Sequence, residues 1–109
     1  MATLTVQNST SAGLQPTYTA AASSDEFDND GRTVIYIKNG GGSPDTVGIN
    51  SLVNCNQGFD HDGGGSVTNA TEKVFGPFPV DRFNNSNGRV TVTHSFLTSV
   101  TCAVIRLPA

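Results

Sequence analysis

The sequence predicts a single all-β domain, a β-sandwich or jelly roll with an irregular N-terminal arm, and three observations predict it. The chain has 109 residues, of which 36% are hydrophobic and only 14% charged. A chain of this length builds one compact core and buries roughly two-thirds of the surface its unfolded form exposes. No segment sustains a helical period. Instead, short runs rich in Val, Ile, Thr and aromatic residues recur between clusters of Gly, Pro and Asn, which is the rhythm of sandwiches and barrels of about six to eight strands. Finally, Thr, Ser, Asn and Gly dominate the polar residues while the net charge is only −3, a balance that separates the chain from charge-rich disordered segments.

The elements follow in order. Residues 1–29 read as an arm or a peripheral strand, with Leu4, Val6, Leu14 and Tyr18 as the apolar anchors of a Ser-, Thr- and Ala-rich stretch. The core is expected over residues 30–109. It opens with Arg32-Thr-Val-Ile-Tyr-Ile-Lys38, apolar on both faces and therefore a strand covered on both sides. That run stops at Asn39-Gly-Gly-Gly-Ser-Pro44. The next, over residues 46–55, is broken by Gly48. Asp60-His-Asp-Gly-Gly-Gly65 reads as a loop tip, since glycines reach backbone angles closed to other residues. Glu72-Lys-Val-Phe75 resumes the strand pattern, and Gly76-Pro-Phe-Pro79 ends it because neither proline can donate to a ladder. In Arg89-Val-Thr-Val-Thr-His-Ser-Phe96, residues Val90, Val92, His94 and Phe96 share one face with a strict period of two. The last run, over residues 99–107, is expected to pair with its predecessor across Leu97-Thr98.

Composition excludes several function classes. Nine acids face six bases, and Lys38 and Lys73 are the only lysines, so no basic stripe neutralises a phosphate backbone and nucleic acid is not an expected partner. No apolar run approaches the about 18 residues that cross a bilayer, and the start lacks the basic and apolar regions of a secretion signal; a soluble protein made in a cytoplasm is expected. Cys55 and Cys102 fit no CxxC redox or zinc spacing. Two readings stand for them, small buried thiols or a disulfide.

Candidate sites are few. Asp25-Glu-Phe-Asp-Asn-Asp-Gly31 resembles a calcium loop, but with Glu26, Asp28 and Asp30 in alternate ligand positions the closing bidentate acid falls on Ile37. The expectation is a solvated turn. Asp60-His61-Asp62 reads as a solvated loop tip, against a divalent-ion site. His94 reads as a hydrogen-bonded core or interface imidazole, against a ligand or base. A triad from Ser95, His94 or His61, and Asp62 lacks a nucleophile elbow. Gly40-Gly-Gly-Ser43 lacks the Gly-Lys-Ser/Thr of a phosphate loop. Asn8-Ser-Thr10, Asn69-Ala-Thr71 and Asn84-Asn-Ser86 fit the glycosylation triplet without a secretion signal beside it. The absence of Trp, with only Tyr18 and Tyr36 as tyrosines, argues against a sugar-stacking site. No catalytic residue, cofactor or metal is expected.

Asp30-Gly-Arg-Thr-Val-Ile-Tyr-Ile-Lys-Asn39, Lys73-Val-Phe-Gly-Pro-Phe-Pro79 with Asp81-Arg-Phe-Asn84, and Gly88-Arg-Val-Thr-Val-Thr-His-Ser95 running on through residues 100–108 resemble the small capsid-decorating (cement) proteins of tailed bacteriophages. The resemblance covers residues 30–108 and leaves the first 29 unmatched. It implies a virion structural protein on the capsid exterior, commonly a homotrimer, with the major capsid protein as partner. Under it, Phe75, Phe78 and Phe83 are the candidate subunit contacts, because aromatic rings dominate interface energy; the competing reading is that they plug the core. A tail- or spike-associated module that binds host surfaces or glycans is the alternative function.

Overall fold

A computed structural model describes residues 2–50 and 63–107. The chain forms β1 (Ala2–Thr3), β2 (Val6–Asn8), β3 (Thr19–Ala20), β4 (Ser24–Asp28), β5 (Thr33–Asn39), β6 (Asp45–Ile49), β7 (Gly63–Val67), β8 (Thr71–Phe75), the one-turn helix α1 (Val80–Phe83), β9 (Arg89–His94) and β10 (Val100–Arg106). Two sheets stack as a sandwich. One has the order β1-β4-β9-β6-β7; the other has β2-β10-β5-β8, with β3 also paired to β10. The all-β sandwich expected from strand rhythm is the fold.

The core lies between the sheets and follows from period two. Phe27 of β4, Val47 and Ile49 of β6, Val67 of β7, and Val90 and Val92 of β9 meet Ile35 and Ile37 of β5 and Val100, Cys102 and Val104 of β10. Burying each of these aliphatic side chains contributes about 1.5–3 kcal/mol. β5 is covered on both faces at its start, where Val34 on the outer face is also buried, and opens towards its end at exposed Lys38.

Four local expectations are corrected. First, Asp25 to Asp28 is a strand, not a solvated turn: Asp25 and Phe27 point inward and are fully buried, while Glu26 and Asp28 point outward. The acids hid the alternation. The core therefore begins before residue 30, although β1 to β3 remain short and peripheral. Second, β10 does not pair with β9. It lies in the opposite sheet, antiparallel to β5 from Val100↔Asn39 to Arg106↔Thr33 and parallel to β2 from Val104↔Val6, so Leu97-Thr98 belongs to an arch between sheets. Its two apolar faces fit a strand buried on both sides, with Cys102 and Val104 facing the core and Ala103 and Ile105 also buried on the other face.

Third, Gly63 to Gly65 are strand residues paired with Ile49 to Val47. Glycine is required there by backbone conformation and by close approach: Gly64 has φ +111°, and a Cβ on it would collide with the Val47 carbonyl oxygen. Gly64→Ala is expected to cost about 2–4 kcal/mol, from overpacking together with backbone strain, read as a lower denaturation midpoint. A loss under about 0.5 kcal/mol, the usual size for a surface change, contradicts that account. Fourth, residues 80–83 form a turn of helix that periodicity did not indicate.

Side-chain amides fasten the turns. Asn39 is 1% exposed; its Nδ2 donates to the Ser43 and Val67 carbonyls at 2.7 and 2.9 Å, and its Oδ1 accepts the Gly41 N–H at 3.0 Å. Asn29 donates to the Phe78 carbonyl at 3.0 Å and to Asn84 Oδ1 at 2.7 Å. Gln7 clasps Thr17 as a neighbouring strand does, accepting its N–H and donating to its carbonyl, both at 2.9 Å, and so ties residues 6–8 to the segment that enters β3. These amides answer backbone groups that would cost about 1–3 kcal/mol each if buried unpaired.

Candidate functional site

The outer face of the β10-β5-β8 sheet is the surface the sequence did not single out. Because Ile35 and Ile37 point into the core, Tyr36 and Lys38 point out. The register sets Val74 beside Tyr36 and Glu72 beside Lys38. Tyr18, arriving from the segment before β3, donates its hydroxyl to Glu72 Oε2 at 2.6 Å, and Lys38 Nζ lies 4.1 Å from its ring centroid. Partial burial, with the Glu72 carboxylate adding to it, pushes the Tyr18 phenol up to about 12, so it stays a neutral donor. Val74 is 53% exposed. Two tyrosines, an exposed valine and one ion of each sign thus form one contiguous patch. The signal was present as the alternation of residues 35–38; what it lacked was the identity of the neighbouring strand.

β8 pairs along one edge only among the described residues. Lys73 shares the inward face with its partner Ile37, and a charge pointing inward on an edge strand works against strand addition by another chain. The patch therefore offers side chains rather than a backbone ladder.

A second feature lies in the core of the other sheet. His94 Nδ1 is 2.6 Å from Asp45 Oδ2, and His94 Nε2 is 3.8 Å from Asp25 Oδ2; all three side chains are 0% exposed. Asp45 Oδ1 also accepts the Ser95 and Phe96 backbone N–H groups at 3.0 and 3.2 Å. Asp25 Oδ2 accepts the Ala22 N–H at 3.1 Å. The expected hydrogen-bonded core imidazole is what the structure has; the sequence does not mark its two carboxylates, since Asp25 sits in an acidic, turn-like stretch and Asp45 follows Pro44 at the end of a glycine run. A sealed imidazole cannot reach a substrate. Ser95 Oγ, on the alternate face, accepts the Thr46 N–H at 2.8 Å and does not meet the ring.

The remaining expected site residues are dispersed. Phe78 and Phe83 are 5% and 7% exposed, with ring centroids 5.4 Å apart, and Phe78 stacks on Phe27 at 5.9 Å. Phe75 is partly buried against the same cluster. The rings plug the core and present little area to a partner. Glu26 and Asp28 converge on Arg89 at 2.9 and 3.0 Å, and Asp30 meets Arg32 and Arg106, both at 3.4 Å. Although desolvation acts the other way, the Arg32 N–H and the two guanidiniums hold the Asp30 carboxyl below the ordinary carboxylate range. These acids face cations of the chain itself. No three His, Cys, Asp or Glu side chains are placed to hold a metal ion together among the described residues.

Cys102 is buried, and desolvation, with Asp25 adding to it, pushes its thiol up to about 11. Its pairing with Cys55 lies outside the described residues, as do the readings of Asp60, His61 and Asp62. A cleft of about 330 Å³ runs beside β10 where β2 and β3 leave a gap, lined by Leu4, Thr5, Gln7, Thr17, Thr19 and Ala103. No protein-family model, curated protein or solved structure matches the chain.

Proposed function

We propose that this chain is a virion structural protein that decorates and stabilises a bacteriophage capsid, made in the host cytoplasm, seated on the capsid exterior as a homotrimer and bound across subunits of the major capsid protein. The observation that carries the reading is the open outer face at Tyr18, Tyr36, Lys38, Glu72 and Val74 on a rigid sandwich. A protein that cements a shell needs buried area that resists separation. Tyrosines beside an exposed aliphatic group supply it at low entropic cost, and a single Lys and Glu add orientation without a large desolvation penalty. The sequence resemblance supports the capsid and the trimer; the surface supports contact with a protein. The contact is accordingly assigned to this face, not to Phe78 and Phe83.

Sedimentation tests the role. Purified protein added to expanded capsids lacking it is expected to bind saturably, at a number of copies matching capsid symmetry, and to raise the temperature at which the shells disrupt. Val74→Asp with Tyr36→Ala is expected to weaken that binding at least tenfold while the protein stays folded, as two interface residues each contributing more than about 1 kcal/mol imply. Absence of binding, or binding at a single vertex, overturns the role; undiminished binding of the double variant overturns the face.

A further inference from the structure

We propose that Asp25, His94 and Asp45 form a proton-operated latch, which takes up one proton as the pH falls and thereby fastens β4 to the β9-β6 pair. The geometry carries it. The three side chains come from three adjacent strands and are sealed from solvent. Every group around Asp45 is a donor: two backbone N–H groups at Oδ1 and the imidazole at Oδ2. A carboxylate only accepts, so Nδ1 carries a proton, and in the neutral form of the ring Nε2 is then a lone pair. That lone pair faces Asp25 Oδ2 across 3.8 Å, and neither Nε2 nor Asp25 Oδ1 has a hydrogen-bond partner. Two acceptors oppose each other in the core. A buried unpaired polar group costs about 1–3 kcal/mol, and a buried charge more.

One proton, on Nε2 or on the Asp25 carboxyl, turns this opposition into a donor–acceptor pair that a small side-chain shift brings into the usual range of about 2.7–3.2 Å. It also reduces the buried negative charge. Burial raises the Asp25 carboxyl above its ordinary value, opposed by the Ala22 N–H and by His94. The folded state therefore binds the proton more tightly than the unfolded state. The stabilisation is complete below the ordinary carboxylate value of 3.8 and is lost as the pH rises through the raised folded value. Among the described residues, the other ionisable group beside Asp25 is the Cys102 thiol on β10, which stays neutral across this range because burial has pushed it up to about 11. The latch is independent of the virion reading.

The test is thermal or denaturant unfolding of the wild type and Asp25→Asn from about pH 8 down to about pH 4, read as the difference between the two proteins so that the carboxyls they share cancel. Relative to Asp25→Asn, the wild-type folding constant is expected to rise on acidification, at most about tenfold per pH unit for one proton. Asp25→Asn, whose amide offers Nε2 a permanent donor, is expected to be the more stable protein at about pH 8 and to respond less to pH. A variant that keeps the wild-type slope over the window overturns the latch. Nitrogen NMR of the His94 imidazole, with the second ring removed by His61→Asn, reads the same event directly. Nδ1 is expected to stay protonated while the Nε2 resonance moves; a ring unchanged across the window, or protonated at Nε2 alone, overturns it.

Discussion

Replacing Asp45 by alanine is expected to destabilise the protein by about 3–5 kcal/mol, because three donors lose their acceptor and each costs about 1–3 kcal/mol where it is left buried and unpaired. The carboxylate, itself fully buried, gathers three donors: the His94 ring at 2.6 Å and the Ser95 and Phe96 amides at 3.0 and 3.2 Å. Alanine strands all three. Because those amides begin the arch that carries the chain from β9 to the opposite sheet, the loss is also expected to loosen the β6-β9 pairing, Val47↔His94 to Ile49↔Val92. Denaturant unfolding measures the total, and amide exchange at Ser95 and Phe96 locates it. Asp45→Asn keeps an oxygen for the two amides and is expected to lose about half as much, which leaves a measurable protein if alanine abolishes folding. An Asp45→Ala loss under about 1 kcal/mol contradicts the anchoring role.

Phe27→Ala is expected to cost about 3–5 kcal/mol through lost burial and the cavity left behind. Phe27 is 0% exposed, and its ring is the first in the series that runs through Phe78 to Phe83. The informative comparison is its neighbour. Glu26→Ala removes a 2.9 Å ion pair from a partly exposed Arg89 that keeps Asp28 at 3.0 Å, and the expected cost is at most about 1 kcal/mol. A large difference between the two, measured by chemical denaturation, establishes that β4 is held by its inward face; similar losses place the weight on the acids.

These two residues also mark where the sequence was hardest to read. Asp25, Glu26, Asp28 and Asp30 carry a turn-like composition, and one aromatic among four acids gives too little apolar contrast for its period to stand out. Asp45, at the start of its strand, reads as part of the preceding turn for the same reason. His94 was placed on its inward face by the alternation of Val90 and Val92, but what it touches depends on chains arriving from 49 positions away.

The sequence alone determined the fold class, the position of β5 to within one residue at each end, the inward face of β9 and the break after Phe75, because each rests on period two or on the backbone limits of Gly and Pro acting within a few residues. Only the tertiary structure decided which sheet each strand joins. The arch that sends β10 away from β9, the glycines of β7 laid against Val47 and Gly48, the meeting of Asp25, His94 and Asp45, and the patch formed by Tyr18, Tyr36 and Val74 all arise from pairing between distant segments. Local pattern sets which face of a strand is apolar. The register and neighbours of that strand are set by the joint burial of both sheets, a property of the assembled core that no single segment carries.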